Sequence, residues 1–445
     1  MKSLATNSAN AGLVGILRSL RHRNYRLFFS GQGISLIGTW MQQIAMSWLV
    51  YRLTHSAFLL GVVGFSSRIP TFVFASFAGV LADRWNRHRA LVVTQTLSTV
   101  QALILAALVL TGAITIWHVI LLSLSLGFIN AFDVPIRQSF VVDMIERRED
   151  LGNAIALNSS LVNGARLVGP SIAGMLIATL GEGICFLLNG ISFIAVIIAL
   201  LAMRVKRDRK EKQNPNVLEG LREGFSYAFG FAPIRLILLL LALVSLMGMP
   251  YMVLMPIFAG KILHGGPRAF GFLLGASGLG ALAGALYLAS RKDVLGLGRI
   301  IVTASGVFGI GLIMFSLSRV FWLSLLSMLV TGFGMMVQMA SSNTVLQTIV
   351  EEDKRGRVMS FYTMAFMGMV PFGNLLGGSL ASLIGAPGTL MFGGASCILG
   401  SFLFARKLPL LREMVRPIYV KMGIVSETMS RAQEGTKLTI PPLDN

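Results

Sequence analysis

Four ionisable side chains stand inside otherwise apolar stretches of this sequence: Arg68, Asp133, Arg137 and Arg166. Asp133 and Arg137 are four residues apart, so a helix sets them on one face. Pro135 between them removes a backbone hydrogen bond and opens that face. Arg166, on the next apolar stretch, has an arm long enough to approach the pair. Charged groups in such surroundings are costly and point to function. Two readings are open for Asp133. It takes up a proton, its affinity set by burial against Arg137 or Arg166. Or the pair is a structural ion pair steadying a helix end. Arg68 has no partner nearby in sequence. With Arg166, it suits an anionic or hydroxyl-rich ligand.

Little else in the chain could do chemistry. There are five His and two Cys, Cys185 and Cys397, and no HExxH, CxxC or G-x-x-x-x-G-K-[ST] pattern. No metal and no cofactor is therefore expected, and no ATP site. Glu351-Glu352-Asp353 is the only run of three acids, and Lys354 and Arg355 follow it directly. That is the composition of a solvated loop. A membrane-embedded transferase, the remote alternative, would need clustered acids for a metal or paired His and carboxylates.

The elements that position these residues follow from composition. Apolar residues make up 54% of the 445 and charged residues 13%, with mean hydropathy +0.74. Ordinary globular chains carry about 25% charged residues. This is an all-α integral membrane pattern, with the lipid bilayer as its main partner. Apolar runs long enough to cross a bilayer fall near 26–51, 57–81, 89–111, 117–141, 153–180, 184–203, 234–258, 269–290, 299–317, 321–347, 358–384 and 388–405. Twelve transmembrane helices are predicted.

The net charge of +19 would suggest nucleic acid in a soluble protein. Placement of the charges decides otherwise. Arg52, Lys261, Arg268 and Arg319 fall on one side of the spans; Arg68, Arg137 and Arg166 fall within them. The rest of the 38 Lys and Arg fall on the other side. By the positive-inside rule both termini are cytoplasmic in a multi-pass protein of the cell inner membrane. The expected organisation is a cytoplasmic segment 1–25, a six-helix bundle 26–203, a cytoplasmic linker with an amphipathic helix 204–233, a second bundle 234–405, and a basic tail 406–445, largely disordered.

The two bundles repeat. Shifting the sequence by 205 puts Gly79 on Gly284, Gly127 on Gly332 and Asp133 on Gln338. Shifting by 204 puts Gly152, Gly169, Gly174, Gly181 and Gly190 on Gly356, Gly373, Gly378, Gly385 and Gly394. Parallel six-helix repeats are a transporter architecture.

Three motifs carry a family resemblance. The loop Gly79-Val80-Leu81-Ala82-Asp83-Arg84-Trp85-Asn86-Arg87-His88-Arg89 resembles the signature loop of the major facilitator superfamily. The resemblance implies that Gly79 permits close helix approach. It also implies that Asp83, Arg84 and Arg87 form a charge lock between the halves. Gly164, Gly169, Pro170 and Gly174 look like the Gly-Pro motif of exporters and antiporters in that superfamily, and Gly271, Gly275, Gly280 and Gly284 offer a matching surface. With Asp133–Gln138 and Arg355-Gly356-Arg357 in the second-half loop, the chain resembles the enterobactin-exporter-like and macrolide-efflux-like branch, the transmembrane secretion effectors. The implied fold is two pseudo-symmetric six-helix bundles, the major facilitator fold. The implied activity is proton-coupled, monomeric export of a small amphipathic substrate by alternating access. A lysophospholipid or lipid carrier of the same fold is the alternative.

By repeat logic spans 1, 4, 7 and 10 line the cavity. Its polar candidates are Gln43, Asn130, Asp133 and Gln338; its apolar ones are Trp40, Met247, Met252, Met255, Met335 and Met339. Flexible Met side chains adapt to varied ligands, though they also fill gaps between helices.

Overall fold

The structure, a computed structural model, describes residues 17–74, 85–204, 225–291 and 293–424. The signature-loop residues Gly79, Asp83 and Arg84 and most of the linker 204–233 lie outside the described residues.

We number the helices α1 Arg23–Thr54, α2 Ala57–Phe74, α3 Arg87–Leu110, α4 Ile116–Asp143, α5 Leu151–Leu180 and α6 Glu182–Leu201 in the first half. The second half has α7 Ala232–Ile262, α8 Gly266–Ala289, α9 Leu297–Leu317, α10 Phe321–Ile349, and a long segment Glu352–Lys421. Ten of these segments are long and apolar enough to cross a membrane. Gly385, at φ 77°, breaks the longest into α11 (352–384) and α12 (386–421). Counting that break and the 32-residue α1 is consistent with the twelve expected spans. Gly181, which the repeat places on Gly385, turns between α5 and α6 at φ 82°. Both corners need the left-handed region that glycine enters without a Cβ penalty.

The helix pairs of the first half recur in the second. Gly31 of α1 packs on Ala199 of α6, and Gly400 of α12 packs on Leu243 of α7. Gly169 of α5 meets Trp40 of α1, as Gly377 of α11 meets Pro250 of α7. Gly127 of α4 meets Pro70 of α2, as Gly332 of α10 meets Ser277 of α8. Without a hydrophobic drive between helices in lipid, close backbone approach at small residues supplies the packing. Large apolar side chains such as Trp117, Ile198, Trp322 and Leu383 remain exposed along the bundle, where lipid covers them.

The two halves join at the end remote from the termini. There α5 meets α8 through Gly174 and Gly271, where an added Cβ would come within 3.0 Å of the facing Cα. Gly61 of α2 meets Gly378 of α11 equally closely, Tyr51 of α1 covers Gly260, and Trp48 stacks on Phe270. Toward the other, basic end this contact is not continued at two glycines of α5: a Cβ added to Gly164 or Gly152 would meet nothing within 4 Å among the described residues. Only part of the matching surface read on α8 serves this joint. Gly271 and Gly275 face α5, but Gly280 and Gly284 face Leu329 and Phe333 of α10.

The last helix runs to Lys421, past the expected end at 405. Leu411 and Val415 are buried, and Leu408, Ile418 and Tyr419 pack on the same core. Their spacing is that of one helix face. The basic residues between them concealed that stripe.

Candidate functional site

The Asp133–Arg137 pair forms as the spacing predicts. Pro135 is accommodated within an unbroken α4. Arg137 Nη2 lies 2.8 Å from Asp133 Oδ2. The other carboxylate oxygen, Oδ1, accepts hydrogen bonds from Thr94 Oγ1 and Gln95 Nε2 of α3, each 2.8 Å. Asp133 is 3% exposed. The carboxylate is thus sheathed between α3 and α4 and presents no free oxygen to a cavity. Charge-assisted bonds of this kind are the strong ones. Thr94 and Gln95 went unnoticed in the sequence, since polar residues at the start of α3 read as a helix end.

Arg166 does not join that pair. Its guanidinium lies 5.9 Å from the centre of the Trp40 ring, in cation–π contact. Trp40, Arg166, Pro170, Tyr251, Met252, Leu274 and Ser277 enclose a void of about 10 Å³. That is room for about one water. Four helices from both halves, α1, α5, α7 and α8, converge there, and any larger ligand requires them to separate.

Arg68 is exposed on α2. It lies one turn from Gly64, whose neighbours are Asn374 and Val253, and one turn from Phe72, which packs on Gly368 and Phe372. Arg68 is therefore on the face of α2 that meets the second half. Among the described residues neither Arg68 nor Arg166 has an ion pair or a side-chain hydrogen bond. At 1.5 Å per residue, Arg68 is about 17 Å from Ala57 along α2 and Arg166 about 21 Å from Leu180 along α5. Both sit at mid-membrane depth.

The remaining candidates divide. Gln43 and Asn130 are half-buried, as are Met247, Met252 and Met339. Gln338 is 0% exposed and lines no open space; neither its Nε2 nor its Oε1 has a partner. Met255 and Met335 are core side chains, at 0% and 1% exposed, so they fill gaps. In the Gly-Pro motif, Gly169 abuts Trp40, Gly174 abuts Gly271, and the Pro170 carbonyl faces Gly271. Gly164 is exposed, and a Cβ added there would meet nothing within 4 Å among the described residues.

In the signature loop, Arg87 pairs with Asp143 at 3.1 Å, at the basic end of α4. That is a bond within one half. Asn86 caps α3, its side chain accepting from the Arg89 N–H at 3.0 Å, while Arg89 itself is exposed. In the second-half loop, Arg355 Nε is buried without a partner, Gly356 is exposed, and Arg357 is engaged. Lys354 beside them bonds Glu351 and lies over the Tyr227 ring.

Gln42, not Gln43, carries an interhelical network. Asn189 of α6 donates to Gln42 of α1 at 2.7 Å, Gln42 donates to Gln101 of α3 at 3.0 Å, and Gln101 donates to the Leu122 carbonyl of α4 at 3.2 Å. Three amides in apolar spans were the available signal.

The profile of the transmembrane secretion effector family matches residues 14–418. The staphyloferrin A transporter of Staphylococcus aureus is 28% identical over 396 residues, covering 87% of this chain and 98% of that protein. The multidrug efflux pump Tap of Mycolicibacterium fortuitum is 25% identical over 371 residues, covering 81% and 88%. A crystal structure of a bacterial homologue of the human lysosomal transporter Spinster, inward-facing and unoccupied, superposes with a TM-score of 0.64 at 13% identity, covering 90% and 98%. Duplicated bundle, motif glycines and matched profile agree: this chain belongs to the transmembrane secretion effector family, and it is a multi-pass membrane transporter of the major facilitator fold, not an enzyme.

Proposed function

We propose that this chain is a secondary active exporter that carries small amphipathic molecules, a siderophore or a drug, out across the inner membrane by alternating access. One observation carries the reading. The closest backbone approaches between the halves, Gly174–Gly271 and Gly61–Gly378, lie toward the end remote from the termini, and an arginine–tryptophan pocket lies in the same seam, lined from both halves. Rocking about that joint opens the pocket to one side at a time. The positive-inside rule supports a cytoplasmic basic end, with both termini there. The end remote from that joint then faces the cytoplasm, from which an exporter loads. The relatives' names, a siderophore transporter and a multidrug efflux pump, support that substrate range. The proton gradient is the energy source in this reading, with the chain acting as a monomer.

The test is a substrate panel in proteoliposomes holding the whole chain, with an imposed pH gradient. Substrate movement that follows the gradient and collapses with a protonophore is expected. Movement indifferent to the gradient removes proton coupling, and no movement of any siderophore or drug removes the export reading. One feature favours a lipid carrier instead. An apolar groove of about 540 Å³ between α3 and α4 is lined by Trp85, Val93, Leu97, Phe128 and Phe132. Altered lipid uptake with unchanged drug accumulation in cells would select that reading.

A further inference from the structure

Arg68 and Arg166 pose a question of charge that the fold alone does not answer. Each carries a full positive charge at mid-membrane depth, and neither has a carboxylate partner among the described residues. An intramembrane arginine normally pairs with an acid or a backbone carbonyl. The acids paired within or at the ends of the helices are occupied elsewhere. Asp133 is closed off by Thr94, Gln95 and Arg137. Glu182 pairs with Arg52 at the far end, and Asp143 and Asp150 pair with Arg87 and Arg18 at the basic end. None of them reaches the space between the halves.

Both arginines lie along the seam between the halves. Arg166 is flanked by Trp40, Tyr251, Met252 and Leu274. Arg68 is flanked, one turn each way, by the contacts of Gly64 with Asn374 and Val253 and of Phe72 with Phe372. Arg166 is thus a cation among aromatic and apolar side chains from both halves, and Arg68 is an exposed cation on the α2 face that meets the second half. Such a site rewards a ligand with an acidic group on an apolar body. Guanidinium matches a carboxylate or phosphate in planar, two-bond geometry, and that bond strengthens as water leaves.

We propose that the transported substrate is an amphipathic anion, whose acidic group supplies the counter-charge for Arg68 and Arg166. The inference rests on the exporter reading and narrows its substrate class. It also gives the arginines a part in the cycle. With the pocket empty, two cations lie between the halves and resist their approach at the basic end. A bound anion cancels that charge, so the loaded carrier closes more readily than the empty one. Neutral and cationic amphiphiles lack this effect.

The test uses the whole chain in detergent with three matched probes: pyrenebutyrate, its methyl ester, and a pyrenebutyl-trimethylammonium ion. They share an apolar body and differ in charge. Binding is read by pyrene anisotropy. The wild-type protein is expected to bind the anion at least about 10-fold more tightly than the ester, and the cation most weakly. Arg166→Gln and Arg68→Gln are each expected to lower anion affinity about 10-fold and leave ester affinity unchanged. Arg166→Lys, which keeps the charge but not the fork, is expected to fall between. Equal binding of acid and ester by the wild type overturns the proposal even if the Gln variants fail to fold. So does tighter binding of the cation. Transport of drugs in proteoliposomes separates the two failures. If drugs move across but acid and ester bind alike, only the anion inference falls. If nothing moves, the exporter reading falls first.

Discussion

At equivalent positions of the repeat, α4 carries Asp133 and Arg137 while α10 carries Gln338 and Ser342. In the first half the pair is complete: two bonds from α3 and one from Arg137 saturate the carboxylate. In the second half Gln338 is as deeply buried, yet both its amide atoms and Ser342 Oγ lack partners. The same contrast recurs deeper in the bundle. Gln42, Gln101 and Asn189 tie α1, α3 and α6 together. The repeat places Met247, Gly306 and Gly393 on those positions, and there Gly393 rests directly against the Met247 backbone.

The second half carries a further difference. π-Helical turns interrupt α7 at Val244–Gly248 and Phe258–Ile262, and α11 at Met364–Gly368. Two of them touch, Ser245 Oγ donating to the Phe366 carbonyl. A π turn carries an extra residue and frees a carbonyl, and such turns gather at functional places. The contrast teaches that one architecture can be held in two ways. The first half is stapled by polar bonds. At the matching positions the second is packed by glycine and holds Gln338 and Ser342 without hydrogen-bond partners among the described residues.

The largest break in the comparison comes from Asp133→Asn. It leaves Arg137 without its acid, and removing one member of a buried pair costs about 3–5 kcal/mol. Arg137 is 25% exposed, so solvent reduces this to about 2–3 kcal/mol. Thermal unfolding in detergent measures it. The double substitution Asp133→Gln with Arg137→Ser copies the second half and should recover most of the loss. The pH profile of transport should keep its shape in Asp133→Asn, because Asp133 is closed to the cavity; a shifted profile would restore the proton-relay reading.

A paired substitution sharpens the contrast by its sign. Gln42→Met strands Asn189 and Gln101 and should destabilise by about 1–2 kcal/mol. Gln338→Met removes amide atoms that bond nothing and should be neutral or stabilising by about 1 kcal/mol. Equal losses at both positions would mean that Gln338 has a partner, such as a bound water, and the halves would differ less than their hydrogen bonds imply.

The contrast also shows what the sequence could carry. Apolar length, charge placement and glycine spacing reported the spans and the repeat, because a bilayer imposes those on any chain. The i, i+4 spacing reported Asp133–Arg137, because both residues lie on one helix. Partners on other helices were not legible. Gln42 and Gln43 are neighbours in sequence, but one residue is a turn of about 100° around the axis. That step separates a buried network from a half-exposed side chain. Arg166 was within reach of Asp133 by arm length, and packing turned it to Trp40 instead. The π turns left no mark, since they come from how α7 and α11 fit each other.

The smallest effect concerns how each half fastens the chain at the basic end. In the second half, Leu408, Leu411, Val415 and Ile418 dock the end of α12 by an apolar stripe. In the first, the fastening is polar. Arg18 Nε lies 3.0 Å from Asp150, Ser19 bonds Asn153, and the Tyr25 hydroxyl donates to the Ala154 carbonyl. His22 Nδ1 accepts from the Glu146 N–H, so Nε2 carries the proton and donates to Asp150 at 3.0 Å. Asp150 lies in the turn before α5, outside the membrane. The His22 hydrogen bond first, and then the charge of Arg18, hold its carboxyl below the usual carboxylate range. A group whose folded value is depressed contributes stability above its unfolded value and loses it as pH falls through the folded one. The gap in unfolding temperature between wild type and Asp150→Asn should therefore persist from neutral pH down to the ordinary carboxylate range. It should close only below that. Leu411→Ala should lower the unfolding temperature by an amount that pH does not change, since burial of an apolar side chain involves no proton. A gap for Asp150→Asn that is already closed at pH 6 would mean that the carboxyl is not held by this clasp.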